Sequence, residues 1–103
     1  MKMSVIMLTC ADNAEADKIS DSLLEKKLIA CAKKLPINSK FWWKGEKDNA
    51  NEVLVMLESV EEKFEEIEKE VKVLHSYETP MLFSIPVGNT TAEVTTWLEE
   101  NIN

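Results

Sequence analysis

Lys33-Lys34-Leu35-Pro36-Ile37-Asn38-Ser39-Lys40-Phe41-Trp42-Trp43-Lys44-Gly45-Glu46 is the stretch that decides the fold. Two of the chain's three tryptophans stand side by side in it, just before a Lys-Gly turn. A polar loop follows, and then a second extended run, Glu52-Val53-Leu54-Val55-Met56-Leu57-Glu58. Both arms are rich in residues that fit a pleated, half-buried surface, so the pair predicts a long hairpin. Counted from Leu28, the first arm would reach about 50 Å at ~3.3 Å per residue. A compact domain of this length has a radius of gyration of only about 13 Å. The arm therefore bends at Pro36, or it projects beyond its own domain and packs on another chain.

On either side of the hairpin the pattern alternates between strand and helix. Met3-Ser4-Val5-Ile6-Met7-Leu8-Thr9 is apolar on both faces, which predicts a central strand. Asp12 with Glu15 makes a capping-box pattern, followed by a stripe of Ala16, Ile19, Leu23 and Leu24. Beyond the hairpin, Ser59 and Glu62 form a second capping box ahead of Phe64, Ile67, Val71 and Leu74, spaced for one helix face. His75 to Pro80 reads as a connector, because Pro80 pushes Thr79 away from helical angles. Met81 to Ile85 reads as a strand closed by Pro86, a residue excluded from central ladder positions. Thr90 and Glu93 form a third capping box, opening a helix that carries Val94, Trp97, Leu98 and Ile102.

The order is β-α-β-β-α-β with an additional C-terminal helix. With right-handed split crossovers this is an α+β, ferredoxin-like sandwich, an antiparallel sheet in the order 4-1-3-2 with two helices on one face. The extra helix could cover a sheet edge or the open face. One domain spans residues 1–103, long enough for a real core but with little margin. Nineteen acidic against twelve basic residues give a net charge of −7, which repels phosphates and argues against nucleic-acid binding. No apolar run approaches the ~20 residues of a membrane span, so no membrane insertion is expected. The N-terminus enters a strand pattern directly, without a signal-peptide pattern, and a cytoplasmic location is expected.

No strong catalytic motif is present, and the reading is not an enzyme. The two glycines, Gly45 and Gly88, sit at turns, no phosphate loop exists, and no Cys-x-x-Cys or His-x-x-x-His pair marks zinc. An acylphosphatase-type enzyme on the same sandwich would need an arginine, and the chain has none. The topology places the end of the first strand, the end of the second helix and the hairpin tip on one side. Cys10, His75 and Glu78 thus become candidate ligands for a soft or borderline ion such as copper or zinc. The bland alternatives are a core thiol at Cys10 and a helix-capping imidazole at His75, the latter favoured at roughly two to one. Phe41, Trp42 and Trp43 alternate across a strand, with core on one face and a subunit interface on the other. Cys31 would lie at the far side of the domain from Cys10, so a disulfide between them is not expected.

Leu28-Ile29-Ala30-Cys31-Ala32, Phe41-Trp42-Trp43-Lys44-Gly45, His75-Ser76-Tyr77-Glu78-Thr79-Pro80 and Trp97-Leu98 together resemble the CutA family of divalent-cation tolerance proteins. The likeness runs over essentially the whole chain. It implies the ferredoxin-like fold, a tight homotrimer with hairpins crossing between subunits, and a link to tolerance of copper and other divalent metals. Two positions depart from the family pattern. Ser76 replaces the usual proline after the histidine, and Met81 stands where many members carry a glutamate of a proposed copper site. His75 carries over to that site, Cys10 only approximates its cysteine, and the glutamate is missing, so metal binding is expected to be weak. The alternative is a PII-like trimeric signalling protein that binds a small anionic molecule between subunits. Its phosphate loop would be basic and glycine-containing, whereas residues 44–51 supply only Lys44 and Lys47.

Overall fold

A computed structural model describes residues 1–103. Strands β1 (Met3–Cys10), β2 (Cys31–Trp43), β3 (Glu46–Val60) and β4 (Leu82–Pro86) form one antiparallel sheet in the order β2-β3-β1-β4. Helices α1 (Asn13–Glu25) and α2 (Phe64–Leu74) cover one face, and α3 (Ala92–Asn101) follows β4. This is the split β-α-β-β-α-β order expected from the sequence, with β1 in the interior as its two apolar faces require.

Alternation along the strands sorts the residues. Ile6, Leu8 and Cys10 of β1 and Val53, Val55 and Leu57 of β3 point to the helices and meet Ala16, Ile19, Leu23, Ile67 and Val71. Leu24, placed on the same stripe by sequence, lies at its margin and is 40% exposed. On the opposite face, Val5, Met7, Leu54 and Met56 are half-buried, while Leu35, Phe83 and Ile85 are exposed. The C-terminal helix covers only one end of that face. Leu98 and Ile102 join Val60 and Met3, which share that face, at the end of the sheet where β1 begins.

The hairpin is tighter than the sequence implied, and its second strand is longer. Lys44 and Gly45 form a two-residue turn with φ of 49° and 84°, and β3 starts at once with Glu46. Two consecutive positive φ values match the twist of the flanking strands, which makes such turns favoured in hairpins. The expected polar loop over 46–51 is therefore strand, paired in register from Trp43↔Glu46 to Asn38↔Asn51. Pro36 does not bend the arm, because β2 is an edge strand, where a missing N–H is tolerated. Beyond Cys10↔Val53 no third strand accompanies the hairpin. It stretches the molecule to 45 × 25 × 22 Å. Strand β2 begins at Cys31, not Leu28.

Two caps move as well. Ser59 is no helix cap: it lies in β3, opposite Ser4, and its hydroxyl donates to the Leu28 carbonyl at 2.6 Å. A turn of 3-10 helix, Glu61–Lys63, intervenes before α2. Strand pairing wins here because it continues the ladder to Met3↔Val60. For α3 the cap is Thr91, not Thr90, its hydroxyl accepting the Val94 N–H at 3.2 Å.

Candidate functional site

The site is built where β1 ends, α1 starts and α2 stops. Asp12 caps α1 by accepting the Glu15 N–H at 2.9 Å. That orientation turns the Glu15 side chain back over the strand end. Its Oε1 accepts the Ala11 N–H at 2.9 Å, and its Oε2 accepts the Ser76 N–H at 2.8 Å. One carboxylate thus ties α1 to the connector after α2.

His75 ends α2, and its side chain is fully buried. The ring does not cap its own helix. Its Nε2 lies 2.7 Å from the Thr9 carbonyl, and its Nδ1 accepts the Tyr77 N–H at 3.1 Å. A carbonyl can only accept, so Nε2 carries the hydrogen and the imidazole is neutral in this arrangement. Tyr77 stacks at a tilt, 4.8 Å between ring centroids, and its hydroxyl donates to Glu52 at 2.5 Å.

Sequence reasoning brought Cys10 and His75 together, and the structure does too: ligand atoms of Cys10, Glu15 and His75 lie within 4.8 Å of one another. Glu78 is not in that group. It is exposed and pairs at 3.7 Å with Lys44 of the hairpin turn. Glu15 takes the third place, and the capping pattern of Asp12 and Glu15 was the signal for it, since an N-terminal α1 side chain must sit beside the end of β1. Phe41, Trp42 and Trp43 are 37%, 71% and 41% exposed, so neither face of that strand segment is core within one chain.

Charge follows from these contacts. Burial, reinforced by the negative charges of Glu15, Asp12 and Glu52, pushes the Cys10 thiol up to about 12. Burial also opposes ionisation of Glu15, but the N–H groups of Ala11 and Ser76 outweigh it and hold the carboxyl below its usual range. Tyr77 is raised by burial and by its bond to Glu52.

A model of the family described as CutA1 divalent ion tolerance protein matches residues 4–101. The chain belongs to the CutA family. The CutA of Archaeoglobus fulgidus, a divalent-cation tolerance protein, is 40% identical over 97 residues, covering 94% of this chain and 95% of the relative. That of Thermotoga maritima is 38% identical over 100 residues, covering 97% and 99%. The solved structure of the Archaeoglobus protein, described as a periplasmic divalent cation tolerance protein, superimposes with a TM-score of 0.96 at 39% identity, covering 98% and 99%. The CutA structure from Thermus thermophilus gives 0.94 at 28% identity, covering 98% and 99%. The CutA fold expected from the sequence is therefore shown, and these relatives are named for cation tolerance, not for an enzymatic activity.

Divalent-metal chemistry in this CutA chain would fall to Cys10, Glu15 and His75, and as arranged they do not fit an ion. The ring has no free lone pair, the Cys10 thiol holds its proton, and Glu15 alone, with one N–H on each oxygen, keeps lone pairs to offer. A metal ligand must be deprotonated and have an open lone pair. The cluster is closed by its own hydrogen bonds.

Proposed function

We propose that the chain is a non-enzymatic homotrimer associated with divalent-metal tolerance, and that its own affinity for copper or zinc is weak. The observation that carries the metal reading is the closed state of the Cys10–Glu15–His75 group. An ion would have to displace the Tyr77 N–H or the Thr9 carbonyl from the ring and strip a proton from a buried thiol. Each of those losses reduces the net affinity. Glu78 joins the set only as an outer carboxylate brought in by movement of the 76–80 connector.

Assembly is supported by the exposed apolar face of the sheet, Leu35, Phe83 and Ile85, continuing into Phe41 and Trp43 on the arm, with Trp42 exposed on the arm's other face. Such a contiguous surface is the usual mark of an interface. The cytoplasm is the proposed location, and Cys10 and Cys31 are both free thiols in accord with it. The Archaeoglobus relative carries the word periplasmic in its description, so cell fractionation is the deciding observation.

The metal reading is tested by titrating wild type and His75→Ala with Cu(II) and Zn(II) in a calorimeter. Binding in the micromolar range or weaker, lost in the variant, is the expected result. A nanomolar site in wild type contradicts weak binding, and equal affinity in both proteins removes His75 from the ligand set.

A further inference from the structure

The hairpin arm leaves the body of the sheet at a single residue. Strand β1 stops at the pair Cys10↔Val53, and the next pair outward, Ile37↔Glu52, has no third strand beside it. From there to Trp43↔Glu46 the arm is a two-stranded ribbon. Such ribbons twist more than wider sheets and are marginally stable on their own. Seven paired residues at ~3.3 Å each give an arm of about 23 Å, so a swing of about 10° at its root carries the tip about 4 Å. The angle at Glu52 therefore decides where the arm points.

Two polar contacts tie the arm to the connector after α2, and they differ in strength. At the tip, Lys44 and Glu78 meet at 3.7 Å, but their side chains are 71% and 70% exposed, and a pair so open to water contributes little. At the root, the Tyr77 hydroxyl donates to Oε2 of Glu52 at 2.5 Å, and Glu52 is only 8% exposed. A hydrogen bond to a charged acceptor is about twice as strong as a neutral one, and partial burial strengthens it further. Tyr77 is itself anchored. Its N–H donates to Nδ1 of His75 at 3.1 Å, its ring tilts against the imidazole, and Nε2 of that imidazole donates to the Thr9 carbonyl at 2.7 Å. Bonds thus run from β1 through His75 and Tyr77 to the residue where the arm begins.

We propose that Tyr77 is a positioning residue for assembly: by bridging His75 and Glu52 it sets the angle at which the arm leaves the body, so that the arm meets a neighbouring copy already aimed. This rests on the assembly reading above. Holding a segment in its bound orientation before the encounter removes part of the ordering cost of association. The closed cluster thereby has a role that needs no ion, since the ring nitrogen a metal would take is the one that holds Tyr77.

The test compares the full chain with Tyr77→Phe in buffer containing a chelator, so that no metal enters the result. Light scattering over a dilution series reads assembly, and amide hydrogen exchange reads the arm and the body separately. Loss of the hydroxyl should raise the concentration of half-dissociation about tenfold, the scale of a lost charge-assisted hydrogen bond. Exchange should quicken at arm amides, while Ile6 and Leu8 in the body keep their protection. Glu52→Ala should do the same, and the double variant should be no weaker than the worse single one, because both changes remove one bond. Glu78→Gln, which cuts only the exposed tip contact, should leave both readouts unchanged. Unaltered assembly in Tyr77→Phe overturns the proposal. So does exchange that quickens at Ile6 and Leu8 as much as in the arm, since Tyr77 would then stabilise the whole chain without aiming the arm. A trimeric wild type with an unaffected Tyr77→Phe refutes this inference alone, whereas a monomeric wild type refutes the assembly reading on which it rests.

Discussion

Ile6, Leu8, Val55 and Leu57 are completely buried beneath α1 and α2, whereas Phe41, Trp42 and Trp43, on the outward stretch of the same antiparallel sheet, are 37–71% exposed. Both regions are apolar, and both are held by the same kind of ladder. They differ in cover: the body of the sheet is closed by helices of its own chain, and the arm outruns them. A hydrophobic strand pattern therefore reports that a surface will be buried without saying by whom. Geometry decides that second question, since an arm this long cannot fold back into a body 22–25 Å across.

Truncation of the core should give the largest effect. Leu57→Ala removes a fully buried side chain from the centre of the cluster and should cost about 2–5 kcal/mol, read by chemical denaturation. On the arm, Trp42→Ala should cost about 2 kcal/mol as an interface residue, and the loss should show as dissociation. The assembled mass should fall toward the 11.8 kDa of one chain at concentrations where wild type stays associated. If Trp42→Ala instead keeps its mass and Leu57→Ala dissociates without unfolding, the contrast between body and arm is wrong.

A subtler probe separates the closed cluster from the arm. Glu15 is held below the usual carboxyl range in the folded chain, so its contribution is present above the unfolded value near ~4.3 and is lost as the pH falls through the lower folded value. Stability measured by urea denaturation should therefore drop on acidification below about pH 4–5. Glu15→Gln should make that slope shallower without changing the assembled mass. An unchanged slope in the variant would mean that the Ala11 and Ser76 contacts do not hold the charged form.

Much of this architecture was legible in the residues. The two-faced apolar run Met3–Thr9 marked the central strand, and Phe64, Ile67, Val71 and Leu74 marked the second helix. Local chemistry misled at Glu46–Asn51, where acidic and amide residues disfavour strands by propensity. The Lys44-Gly45 turn and cross-strand pairs such as Trp42↔Lys47 override that preference. Ser59 looked like a cap because its sequence context fits one, but pairing with β1 claims it first. In the site, topology alone brought His75 to Cys10. What sequence does not carry is side-chain direction: Glu15 turns inward because Ala11 and Ser76 donate to it, and Glu78 turns outward to Lys44.

The most direct measurement is the molar mass of the purified chain by static light scattering at micromolar concentration. The expected value is three times the 11.8 kDa chain mass, with the arm and the open sheet face enclosed between copies. A monodisperse species of 11.8 kDa, its Trp42 ring still in water, would contradict it.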